Sequence, residues 1–475
     1  MSTSARPTNA KSRHPRSHAE LSAFVEATAQ EYGIPGVAVG VLTGGEEIHV
    51  AHGVTNADHP LPVDAHTLFH LASVSKSFTA TALMRLAEQG RVDLAAPVRR
   101  YVPELRLADE DAAARITVLN LLNHTAGLDW NLVDTDEGYG SLAAFVGRLD
   151  RLPLIAPPGG RASYSQAGYN LAGRVVENVT GLPFDRALTE LVLGPLGLDD
   201  TVLDLDEVVP RRFAVGHHRA EDGTLTLARP WKSWRAGLRG NDPGGGIAST
   251  VSDLLRWARF QLGDGDGLLS AGTLERMRRP TVELRASSLG DAFGICWFLR
   301  DVGGVRTVGH GGSGNGQFAE LLLVPERDFA VVALANSGPD GYLFNQAVLK
   351  RALQLYLGVV EHDPQPLPYD ARRAREVAGR YEIDAMNLDI AAEDGRLTLA
   401  VGIKPEIRAA SDARMPPDYP AAGIGFLPGG DGGDGCDEYI VTEGGLKGQR
   451  GFFSRADDGT VTGVDLAGRL FGRSV

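Results

Sequence analysis

Apolar residues recur every three to four positions from His18. Leu21, Phe24, Val25, Ala29 and Tyr32 share one face and Gly33 follows, which predicts a helix. The period then drops to two. VAVGVLTGGEEIHVAHGV alternates on both sides of Thr43-Gly44-Gly45, the pattern of a β-hairpin. The run SVSKSFTATALMRLAEQG returns to the helical period, with Phe78, Ala82, Leu83 and Leu86 inward and Gly90 as the cap. Residues 97–235 read as helices and loops broken by Pro and Gly. Between Gly294 and Asn336 the segments GICWFLR, TVGHGG, FAELLLV and FAVVALAN predict short strands in hairpin succession, and a last helix is expected over about 341–357. N- and C-terminal strands then have to share one antiparallel sheet, with the helical middle as a separate lobe and a cleft between them.

Residues 359–376 are rich in Pro and charge and read as a linker. Beyond them, short alternating runs such as LDIAAEDGRLTLAV, DEYIVTE and RGFFSRADDGTVTGVDL are punctuated by Asp-Gly turns, the signature of a small β-sandwich or barrel. The Gly-rich stretch GFLPGGDGGDGCD is expected to be a mobile loop. The resulting division is a disordered tail over 1–17, a main domain over 18–358, the linker 359–376 and an accessory β-domain over 377–475. No group of titratable residues with catalytic spacing stands out in that last part.

Composition narrows the function classes. Of 475 residues, 43% are hydrophobic and 23% charged, ordinary values for a globular protein. A formal net charge of −13 argues against nucleic acid or anionic membrane as a main partner. Cys296 and Cys436 lie far apart, so neither a disulfide framework nor a zinc site is indicated, and His217-His218 are adjacent and point apart on regular structure. The first residues are polar and basic without an apolar core, which reads as a cytoplasmic protein. No metal or other cofactor is called for; oligomeric state is left open.

Four stretches carry the chemistry. Ser73 and Lys76 lie three residues apart at a helix start, neighbours across one turn, where an amine held neutral can take the proton of a serine nucleophile. Only six of the 47 basic residues are lysines; arginine cannot act as a base, so a lysine here points to a group that titrates. Tyr164 follows Pro157-Pro158-Gly159-Gly160 in a loop before a helix. Glycines in Gly309-His310-Gly311-Gly312-Ser313-Gly314 mark a strand that something approaches closely. His124, after the apolar run VLNLLN, reads as a structural histidine.

In this order, FHLASVSKSFTATALMRLAEQGRVDL, LLNHTAGL, PPGGRASYSQAGYNLAGRVVENVTG and VGHGGSGNG closely resemble the serine β-lactamase-related family over about residues 18–357. That family includes class C β-lactamases, D-stereospecific peptidases and amidases, family VIII-type esterases and acyltransferases. The resemblance implies an α+β fold, an antiparallel sheet flanked by helices plus a helical lobe. The tail resembles the lipocalin-like β-barrel appended to some members. It further implies Ser73 as the acylated nucleophile, Lys76 as its proton partner, and Tyr164 as general base and acid. His310-Gly311-Gly312 matches the strand element beside the substrate, and the backbone N–H groups of Ser73 and Ser313 match the oxyanion hole. Two positions depart: Gln166 replaces the Asn of Tyr-x-Asn, and His310 stands where β-lactamases carry Lys. A mostly neutral histidine leans away from penicillin-like substrates and toward esters, amides or other acyl donors. The expected partner is therefore a small-molecule or peptide acyl substrate. The alternatives are transfer of the acyl group to an amine, as in penicillin-binding-protein-type thioesterases and macrocyclases, and a catalytically silent ligand-binding protein. No G-x-S-x-G motif supports an α/β-hydrolase.

Overall fold

The strand Phe329–Ala335 is buried at all seven positions and Gly36–Thr43 at all eight, as strands covered on both faces must be. They pair with each other as the second and third strands of an eight-stranded antiparallel sheet in a computed structural model that describes residues 15–132, 140–220, 222–228, 236–338, 340–410, 418–428 and 437–474. The elements that matter here are α1 (Pro15–Glu31), β1 (Gly36–Thr43), β2 (Glu46–Gly53), α2 (Ser75–Glu88), α3 (Gln166–Thr180), α4 (Val251–Leu262), β3 (Val282–Ser287), β4 (Gly290–Phe293), β5 (Phe298–Val302), β6 (Val305–Gly314), β7 (Gln317–Val324), β8 (Phe329–Ala335) and α5 (Gly341–Ala352). Sheet order is β2-β1-β8-β7-β6-β5-β4-β3, so the N-terminal hairpin joins the C-terminal meander. Gly44 and Gly45 take φ of +54° and +78°, the double left-handed turn that closes a two-residue hairpin.

Alternation within each strand divides the core in two. Val37, Val39, Val41, Val331 and Ala333 face α1 and α5; Ala38, Leu42, Ala330, Val332 and Leu334 face α4 and the helical lobe that contains α2 and α3. The hairpin β3–β4 was not expected, although Val282, Leu284 and Ala286 alternate with polar residues. At the N-terminus α1 starts at Pro15, three residues before the apolar period; residues 1–14 of the expected tail lie outside the described residues.

Residues Gly379–Arg473 form a closed barrel of eight antiparallel strands, preceded by the helix Ala371–Val377. Tyr381, Leu388, Tyr439, Val441, Phe453, Val464 and Phe471 pack its interior, the filling expected of a small barrel. Asp394-Gly395 closes one of its hairpins with both φ angles positive. Of the glycine-rich stretch expected to form a loop, residues 429–436 lie outside the described residues.

The barrel's last hairpin, Val461–Leu466 and Arg469–Arg473, turns through Ala467 and Gly468 at φ of +52° and +72°. That turn touches the main domain. The Gly468 carbonyl accepts from the Tyr164 N–H at 2.7 Å, and the Leu470 N–H donates to the Ser163 hydroxyl at 3.3 Å. A Cβ on Gly468 would meet the end of the Leu289 side chain, in the β3–β4 turn, at 2.2 Å, and the positive φ there favours glycine.

Candidate active site

Ser73 occupies a single 3₁₀ turn, Ala72–Val74, that leads into α2. Ala72 holds φ at +45°, a left-handed conformation that costs a residue with a Cβ about 1–2 kcal/mol. The surroundings fix it. The Leu71 N–H donates to the Ile247 carbonyl at 2.8 Å, and the Ser75 hydroxyl accepts from the Ile247 N–H at 3.1 Å. On the other side runs β6: a Cβ on Gly312 would lie 2.0 Å from the Leu71 carbonyl oxygen and 3.0 Å from the Ser73 nitrogen. Glycine there lets the strand lie against the nucleophile's backbone.

One turn on, Lys76 is fully buried. Its Nζ lies 3.1 Å from Ser73 Oγ and donates to Gln166 Oε1 at 2.5 Å and to the Gly244 carbonyl at 2.7 Å. No carboxylate pairs with it among the described residues. The two atoms that it contacts there, Gln166 Oε1 and the Gly244 carbonyl oxygen, only accept, whereas a hydroxyl can donate. A neutral Lys76 amine therefore uses both its N–H bonds on these carbonyls and turns its lone pair to the Ser73 hydroxyl. Burial drives Lys76 well below the ordinary lysine range; the Cys296 thiol pulls the other way, and the Arg469 guanidinium adds to the fall.

Gln166 opens α3, whose first turn is capped by the Ser165 hydroxyl accepting from the Gly168 N–H at 3.2 Å. The additional methylene of Gln166 is accommodated at Gly244, where a Cβ would fall 2.0 Å from the Gln166 amide nitrogen. Thus the longer side chain reaches Lys76 because a glycine lies opposite it. Tyr164, nearly buried, has its ring centroid 5.0 Å from Lys76 Nζ. Burial raises its phenol well above the ordinary range; the Ser73 hydroxyl beside it and the Arg469 charge pull it partly back. His124 backs this ring at 4.4 Å, and its Nδ1 accepts from the Ser165 N–H at 3.1 Å.

His310 lies on β6 with Phe298 stacked on it at 4.3 Å. Burial holds it neutral, down to about 3. Its Nδ1–H donates to the Gly311 carbonyl at 2.7 Å, which leaves Nε2 the acceptor nitrogen, buried and without a hydrogen-bond partner among the described residues. Ser73, Tyr164, His310, Gly311, Gly312 and Ser313 all line one cavity of about 240 Å³. These residues are thus brought together, with Lys76 and Gln166 just behind the wall.

The barrel adds groups that sequence reasoning missed. Ala467, Arg469 and Gln449 line the same cavity. The Arg469 guanidinium lies 5.4 Å from the Tyr164 ring centroid and 5.5 Å from that of Trp130. Nothing in the run around Arg469 distinguishes it from the chain's many other arginines; only the hairpin's docking brings it in. His217 faces elsewhere, its Nδ1 on the Asn336 carbonyl at 2.8 Å and its Nε2 accepting from the Ala57 N–H at 3.1 Å. No helix among the described residues is long and apolar enough to cross a membrane.

Known proteins share this fold. A relative named penicillin-binding protein 4, from Amycolatopsis lactamdurans, is 33% identical over 333 residues, covering 68% of this chain and 86% of its own. The crystal structure of SurE superposes with a TM-score of 0.72 at 24% identity, over 96% of this chain and 99% of that one, the barrel included. An octameric penicillin-binding protein homologue from Pyrococcus abyssi follows at a TM-score of 0.66 and 23% identity, over 94% and 98% of the two chains. Residues 21–354 match the family model for beta-lactamase, and the chain belongs to that family of serine hydrolases.

Proposed function

We propose that the protein is an acyl-transfer enzyme that forms a covalent ester on Ser73 with a carboxylic ester or amide substrate and passes the acyl group to water. The observation that carries this reading is the buried Lys76 amine, 3.1 Å from Ser73 Oγ with two carbonyls taking up its N–H bonds. Lys76 takes the hydroxyl proton as Ser73 Oγ attacks the substrate carbonyl. The backbone N–H groups of Ser73 and Ser313 stabilise the oxyanion, worth about 3–4 kcal/mol in such sites. Tyr164 hands its proton to the departing alcohol or amine and takes in its place the one that Lys76 removed from Ser73, which leaves both groups neutral. Water then attacks the ester, its proton passes through the same pair, and Ser73 Oγ departs with a proton. Gln166 orients Lys76; His310 and Gly311-Gly312 flank the acyl group.

A neutral His310 brings no charge to a substrate carboxylate, which disfavours β-lactams. The variant in which the acyl group passes to an amine uses the same groups, and the barrel hairpin, whose Ala467 and Arg469 line the cavity, is a surface that such an acceptor would meet.

Incubation with an alkyl fluorophosphonate followed by peptide mass spectrometry tests the reading. A stoichiometric adduct on the peptide that contains Ser73, absent in Ser73→Ala, is expected. Folded protein that acquires no adduct overturns it. Rates on p-nitrophenyl esters, D-amino-acid p-nitroanilides and nitrocefin then rank the substrate classes, esters and anilides being expected above nitrocefin.

A further inference from the structure

The cavity that contains Ser73 continues past the catalytic groups. β5 pairs with β6 only over Val305–Gly309, so β6 has an unpaired edge from His310 onward. Successive residues of a strand point to opposite faces. His310 and Gly312 face Tyr164 and Ser73, so Gly311 and its cross-strand partner Glu320 face α5 instead. A Cβ on Gly311 would lie 2.5 Å from Glu320 Oε1, and glycine leaves that carboxylate its space. The cavity wraps the free edge: Ser73 and Tyr164 line one side, Glu320, Tyr342 and Gln346 the other.

Glu320 is a singular group in this place. It accepts one hydrogen bond, from Gln346 Nε2 at 3.2 Å, and has no ion-pair partner among the described residues. Arg300 of β5, which shares the cavity, is engaged with Glu361. Tyr342 of α5 is held neutral, its phenol raised by burial and by Glu320, while Arg300 and Arg450 act the other way. Burial pushes the Glu320 carboxyl up to about 8, with Gln346 opposing. A carboxyl that resists ionisation in a substrate cavity, with no cation of its own, suits a ligand that brings one.

We propose that Glu320, flanked by Gln346 and Tyr342, is an ammonium-binding subsite that anchors a primary amine carried by the acyl donor or by the acceptor, around the β6 edge from Ser73. The inference rests on the acyl-transfer reading for its purpose, but its test does not depend on turnover. Charge-assisted binding in a confined site is worth at least about tenfold in affinity. Isothermal titration with n-hexylamine and with n-hexanol is therefore expected to show about tenfold or greater preference for the amine at pH 9. That preference shrinks at pH 6.5, where Glu320 is protonated. Glu320→Gln loses it at both pH values with its melting temperature preserved, and Glu320→Asp keeps part of it.

No amine preference in the native protein, or the same preference in Glu320→Gln, overturns the proposal. The native protein's pH series decides the matter even where a variant fails to fold. Fluorophosphonate labelling of Ser73 reads the parent reading separately, so labelled protein without amine preference removes the subsite alone. Faster turnover of p-nitrophenyl 6-aminohexanoate than of the hexanoate places the amine on the donor. Faster aminolysis of the hexanoate by 1,6-diaminohexane than by n-hexylamine, lost in Glu320→Gln, places the anchored amine on the acceptor.

Discussion

Lys76 is the residue on which the chemistry turns, because its proton count decides whether Ser73 can be deprotonated. Its two carbonyl partners would hold an ammonium as readily as an amine; what removes the charge is burial, reinforced by Arg469. An arginine at position 76 keeps the charge and cannot shed it. Lys76→Arg is therefore expected to slow fluorophosphonate acylation by about 10³-fold, the scale of lost general-base catalysis, and undiminished labelling rates would remove the base role. Arg469 gives a finer test. Its charge disfavours protonation of Lys76, so its removal lets Lys76 hold a proton to higher pH. In Arg469→Leu the rising limb of the acylation-rate profile should move to higher pH, with the plateau rate less affected. A residue that merely packs the barrel against the body would lower rates at all pH values alike.

The elements show why some of this site was legible in the chain and some was not. Ser73 and Lys76 are joined by one turn, and Tyr164 sits beside a helix cap, so local patterns were enough to find them. Gln166 stands in the sequence only as a departure from Tyr-x-Asn. Its compensation is Gly244, in a segment that reaches Gln166 only through the fold, and no local pattern connects the two. The strand β6 was readable as a close approach from its glycines, but not what approaches it. One neighbour turns out to be the nucleophile's own backbone. Gly312→Ala should push β6 away from the Leu71 carbonyl, where the added carbon would stand 2.0 Å away. A displacement of this order costs about 10²-fold in acylation rate, and circular dichroism should show the fold retained. Native rates in that variant would mean that β6 and the Ser73 turn need not touch.

At the scale of the whole molecule, the barrel is a wall of the site, and the sequence concealed this because docking of one hairpin is a long-range event. Asp465, just before that hairpin's turn, shows the energetic cost of the arrangement. It is buried, its Oδ1 has no hydrogen-bond partner among the described residues, and Arg161 and Arg469 only partly offset its desolvation. Its carboxyl is raised from 3.8 to about 7. The native state thus binds a proton that the unfolded chain releases, and this contribution to stability is full below the unfolded value and lost as pH rises from 3.8 through 7. Above pH 7 the loss reaches up to about 4 kcal/mol. The buried neutral histidines His70, His124 and His310 act oppositely, losing stability as pH falls below about 6.5, so the total profile mixes both signs. A single variant separates them. Asp465→Asn retains the shape without the charge, and should raise the midpoint of denaturant unfolding at pH 8 while leaving it nearly unchanged at pH 4. An equal gain at both pH values would show that the asparagine acts through packing or hydrogen bonding, and that Asp465 is not the titrating group at the junction.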